Sequence, residues 1–144
     1  MMSGTTVNWQ LCALLSALFA GVTAILAKVG VDGVPSNVAT LVRTMVILVI
    51  VSLIVLATGE GKAIKELTTR NWTFLALSGV ATGLSWLFYF AAIKAGPVSR
   101  VAPIDKLSFV IAAVAGVGLL HETMKPAAAL GVGFIVVGVL LTLK

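Results

Sequence analysis

Apolar residues fill this chain in five long blocks, separated by short polar breaks. The blocks predict helices over about residues 9–29, 37–58, 72–93, 100–120 and 127–143. Runs of roughly 20 residues match the length a helix needs to cross ~30 Å of hydrocarbon, and the fifth block is the shortest. Trp9 and Trp72 open the first and third helices, where indole rings sit well at a membrane interface. The expected class is an all-α integral membrane protein with five transmembrane helices, forming one domain over residues 1–144.

The breaks fit that layout. Gly30–Asn37 (GVDGVPSN) carries turn residues, and Pro35 and Ser36 suit the entry of the second helix. Gly59–Asn71 (GEGKAIKELTTRN) is the one long polar stretch, with three cations and two acids; its Ala63–Leu67 part is expected to form a short interfacial helix. Lys94–Ser99 (KAGPVS) and His121–Pro126 (HETMKP) are expected to be tight turns. Met1–Asn8 has no Lys or Arg, so it lacks the basic start of a signal peptide, and the first apolar block is expected to be retained.

Composition supports the membrane class. The chain is 60% hydrophobic and 10% charged, where soluble domains average roughly 45–50% and about 25%. Its net charge of +5 sits mostly between the apolar blocks, facing lipid head groups, and is not a nucleic-acid signal. Cys12 is the sole cysteine, which excludes an intrachain disulfide. One His, one Cys and five acids do not make the usual metal clusters, and there is no phosphate loop or nucleophile elbow. No enzyme and no cofactor is expected.

An odd number of spans puts the termini on opposite sides. Lys62, Lys65, Arg70 and Lys125 flank one side; Lys28, Lys94, Arg100 and Lys144 flank the other. Four against four gives the positive-inside rule almost no imbalance to act on. Two readings stay open: insertion in both orientations, or one orientation fixed by translocation context or by the embedded charges.

The candidate chemistry centres on Ser99–Phe109 (SRVAPIDKLSF), where Arg100, Asp105 and Lys106 surround Pro103 at the start of an apolar block. Arg43 lies seven residues past Ser36, as Lys106 lies seven past Ser99. Arg43, Asp105 and Lys106 therefore sit roughly 9–11 Å below their helix starts, and a meeting at one depth is expected. Asp105 is the one acid within an apolar span. Beside Arg43 or Lys106 it can remain ionised. Intramembrane charges usually mark pathways, which favours a substrate-facing or coupling cluster over a purely structural ion pair.

The third helix carries Gly79 and Gly83 in a GxxxG pattern, suited to close helix packing. Ser85, Trp86 and Tyr89 follow; Trp86 and Tyr89 share a face and are expected either to line a cavity or to pack against neighbours. Gly131 and Gly138 lie on one seam of the fifth helix, for packing within the subunit or for a dimer interface. Glu122 ends the fourth helix, where a negative charge opposes the dipole; it is expected to cap the fifth helix or to bind Lys125.

These features resemble a single EamA-like unit of the drug/metabolite transporter superfamily. The resemblance covers about residues 9–144: five helices, Ala27-Lys28 ending the first, a long loop after the second, and Asn71-Trp72 with Tyr89-Phe90-Ala91-Ala92 in the third. The most specific string is Val101–Ser108 (VAPIDKLS), which looks like the short single-unit bacterial and archaeal members. The family's block usually ends in Gly-Glu; here His121-Glu122 stands in that place. The resemblance implies transport of a small organic metabolite or drug across the cell (inner) membrane. Better-known relatives carry two such units of inverted topology around a central cavity, so a lone unit implies a homodimer, possibly antiparallel. On that expectation helices 1–4 line the cavity, Arg43, Asp105 and Lys106 supply its polarity, and Trp86 and Tyr89 its aromatic wall. With cations outnumbering Asp105, an anionic group on the substrate is expected. The alternative is a non-transporting membrane subunit that packs against a partner.

Overall fold

The computed structural model describes residues 8–143, so the readings made for Met1–Val7 and Lys144 fall outside it. Among the described residues the chain is helical throughout, with six α-helices: α1 (Trp9–Gly30), α2 (Ser36–Thr58), α3 (Thr69–Ala95), α4 (Val98–Asp105), α5 (Leu107–Leu119) and α6 (Pro126–Thr142). A 3₁₀ helix over Glu60–Glu66 joins α2 to α3, in place of the shorter interfacial helix expected at Ala63–Leu67.

Four stretches are long and apolar enough to cross a membrane: α1, α2, α3 and the continuous path Val98–Leu119 through α4 and α5. The apolar α6 has 17 residues, about 25 Å of helix, at the short end of what spans hydrocarbon. The protein is thus an all-α membrane protein with about five spans. Most large apolar side chains on these helices are exposed, among them Leu18, Leu48 and Phe88. Water would penalise such surfaces, whereas lipid tails match them.

The ends of the helices follow from local chemistry. Asn8 Oδ1 accepts from the backbone N–H groups of Gln10 (3.1 Å) and Leu11 (3.3 Å) and so caps α1. Gly59, in the left-handed region at φ 72°, closes α2. The third helix begins at Thr69, earlier than Trp72, because the Thr68 hydroxyl accepts from the Asn71 N–H at 3.3 Å and draws a polar turn into the helix. Pro126 occupies the first turn of α6, where its missing N–H costs nothing.

The described chain falls into two compact units. One comprises residues 8–30 and 98–143; α1 packs on α4, and α4 and α5 pack on α6. Its buried positions are small or branched: Ala24, Ala27, Gly116 and Val139. The other unit comprises residues 31–97, in which α2 packs on α3 around Val31, Thr40, Phe90 and Ile93. Thr40, 7% exposed, donates its hydroxyl to the Ser36 carbonyl at 2.9 Å, so this buried donor is met. Lys94, at the end of α3, donates to the Val34 carbonyl at 2.8 Å and ties the α1–α2 turn to the α3 terminus.

Candidate functional site

The fourth span is interrupted where the charges stand. Pro103 lies inside α4 and supplies no N–H to the helix ladder. The backbone tightens beyond it: the Lys106 N–H reaches the Pro103 carbonyl at 3.0 Å, and the Phe109 N–H reaches the Lys106 carbonyl at 3.1 Å. Both are three-residue steps, so the α-helix breaks at Lys106 and resumes at Leu107. The single helix expected over 100–120 is therefore two helices, α4 and α5.

At that break Lys106 Nζ lies 3.4 Å from Asp105 Oδ2. Both side chains are about one-third exposed, at 39% and 34%. The ammonium also lies 5.2 Å from the centroid of the Phe109 ring. Asp105 thus has the cationic neighbour that a carboxylate in an apolar span requires, and that neighbour is Lys106.

Arg43 belongs to the other unit. From α2 it lays its guanidinium on α3, with Cζ 4.5 Å from the Trp86 ring centroid and 5.4 Å from that of Phe90. Trp86 and Phe90 are one turn apart and share a face. Phe90 is 3% exposed and packs edge-on against Tyr89, with centroids 6.3 Å apart and planes at 73°. The expected pairing of Trp86 with Tyr89 as one wall becomes a three-ring arrangement that includes Phe90. Ser85 is exposed beside Trp86.

The glycines of the expected packing motifs are open. A methyl group built at Gly79, Gly83, Gly131 or Gly138 meets nothing within 4 Å among the described residues. Gly116 differs: a Cβ there would lie 2.9 Å from Glu122 Oε2. Among the described residues no side chain caps α6 and Glu122 forms no ion pair with Lys125. Its carboxylate lies over Gly116, and its N–H donates to the Gly116 carbonyl at 3.0 Å alongside that of Leu120 at 3.2 Å. Between them His121 adopts φ 55°, the left-handed conformation that glycine takes without strain. Among the described residues no three His, Cys, Asp or Glu side chains gather in a metal-binding group.

The EamA-like transporter family model matches residues 7–144, nearly the whole chain. The chain belongs to the EamA-like transporter family. A curated relative from Sinorhizobium sp., described as an uncharacterized transporter in the cobO 3′ region, is 54% identical over 134 residues, covering 93% of this chain and 95% of its own. No solved structure matches the chain. Family membership places the broken fourth span, with Pro103, Asp105 and Lys106, and the Arg43–Trp86–Phe90 arrangement within a membrane transporter.

Proposed function

We propose that the chain forms one domain that works as a homodimer, moving a small organic solute across the cell (inner) membrane by alternating access, as an exporter or exchanger. The observation that carries this reading is the broken fourth span. Transporters commonly place coupling and substrate groups where a membrane helix is interrupted, because freed backbone and charged side chains are tolerated there only beside a cavity. Here the interruption coincides with an ion pair, Asp105–Lys106. Asp105 and Lys106 act as the coupling pair; Arg43, Trp86, Tyr89 and Ser85 contact the solute. The unfilled faces at Gly79, Gly83, Gly131 and Gly138 support a second copy as the neighbour. The balanced flanking charges support an antiparallel arrangement of the two copies.

Asp105→Asn tests the reading, because it keeps the side-chain shape and removes the charge. In cells expressing matched amounts of either protein, at least one small solute is expected to depend for its distribution on the wild type and not on the variant. Identical metabolite profiles would remove Asp105 from the mechanism.

A further inference from the structure

We infer that Arg43 is a docking point for the carboxylate of a small organic solute, with Trp86 and Phe90 holding the guanidinium so that its N–H edge stays free. This rests on the transport reading and names the chemical class of its substrate.

Arginine has five N–H donors and no acceptor. Among the described residues its neighbours are rings: Trp86 at 4.5 Å and Phe90 at 5.4 Å from Cζ. Rings stabilise the positive charge through their faces but leave the in-plane N–H groups without acceptors. No ion pair and no hydrogen bond from the guanidinium is formed among the described residues; the acids of its own unit, Asp32, Glu60 and Glu66, lie outside the helical spans. Unmet donors in an apolar span are costly. Two oxygens on one carbon match the guanidinium fork and meet two donors at once.

A lipid phosphate is the competing acceptor, reached by long cationic side chains that stretch to the nearer membrane face. The geometry opposes it. Within this unit α2 starts, and α3 ends, near the Lys94–Val34 contact. Phe90 is about 7–8 Å from the end of α3, and Trp86 is about 13 Å from it. The guanidinium lies closer to the deeper ring, Trp86. The two rings therefore hold the guanidinium within the span, at the level of α3 residues that lie below the helix end.

The test uses the purified full chain in neutral maltoside micelles, with Trp9→Phe and Trp72→Phe leaving Trp86 as the sole indole. Phenylacetate, phenylacetamide, inorganic phosphate and phosphatidylglycerol are titrated against Trp86 emission. Phenylacetate is expected to give a saturable change and its neutral amide a response weaker by about ten- to hundredfold. Arg43→Gln is expected to lose phenylacetate binding by a similar factor. Arg43→Lys, which keeps the charge and guards against misfolding, is expected to weaken it several-fold because the planar fork is gone. Equal binding of acid and amide, wild-type binding by both variants, a preference for inorganic phosphate, or a response to phosphatidylglycerol alone would each overturn the inference. Solute efflux from liposomes without carboxylate preference would refute this inference and leave transport standing. Phenylacetate binding by a chain that moves no solute would do the reverse.

Discussion

Arg43, on α2, lies over the ring of Trp86, on α3, with the guanidinium carbon 4.5 Å from the indole centroid. A cation held over a ring in a water-poor setting contributes about 1–2 kcal/mol. The contact therefore joins the two long helices of its unit while fixing the direction of the charge. A double-mutant cycle of Arg43→Met and Trp86→Leu, read by reversible unfolding in mixed SDS micelles, is expected to give a coupling of about 1 kcal/mol. Additive effects would show that the two side chains are merely adjacent.

Pro103 stands inside α4, three residues before the break at Lys106. Pro103→Ala restores an N–H to the ladder and removes the ring from the path of the preceding carbonyl. The variant is expected to be more stable by about 1–3 kcal/mol and slower in transport, because the Ser99 carbonyl regains its ladder donor and the span stiffens. Unfolding in mixed micelles and solute flux measure the two effects separately. Faster transport with greater stability would refute a role for the break.

The spans were legible in the sequence because length and apolarity alone decide what crosses a bilayer, and α1, α2 and α6 begin and end within a residue of their expected positions. The early start of α3 was hidden because the polar run Thr69–Asn71 carries no apolar signal; the Thr68–Asn71 capping geometry is what extends the helix. Asp105 and Lys106 were readable as a charged pair in an apolar block. Pro103 was also visible, but the break falls at Lys106, where the backbone switches to shorter steps, and no side chain announces that. Phe90 was the missed member of the site. Its spacing of four from Trp86 was the available signal, overshadowed by the polar handle of Tyr89. The left-handed conformation of His121 belongs to the backbone, and its one trace in the sequence is that His121 stands where the family's block usually carries Gly.

That conformation leads to a stability prediction. A non-glycine residue in the left-handed region costs about 1–2 kcal/mol. His121→Gly is expected to stabilise the chain by about 1 kcal/mol, once glycine's extra unfolded-state freedom is subtracted. Gly116→Ala is expected to cost less than about 1 kcal/mol, because the atom it meets is the mobile end of Glu122, and Glu122→Ala should suppress that cost. Thermal unfolding in one detergent compares the wild type, the three single variants and the Gly116→Ala/Glu122→Ala double variant. Destabilisation by His121→Gly would mean that the imidazole contributes more than its backbone costs.

The balanced flanking charges make a prediction about insertion. Paired reporters fused after Lys144, one active only in the cytoplasm and one only outside it, are both expected to be active. Adding two Lys residues to the Lys94–Ser99 turn should silence one of them by breaking the tie. Activity of a single reporter from the native sequence would exclude the antiparallel homodimer.

The central claim is transport by this chain without any other protein. The most direct measurement is efflux from liposomes that contain only the purified protein, loaded with a mixture of small metabolites and assayed by mass spectrometry. The account predicts saturable release of at least one organic acid, beyond that from protein-free liposomes and absent with Asp105→Asn. Retention of every solute to the same extent as in protein-free liposomes, by a correctly folded protein, would contradict it.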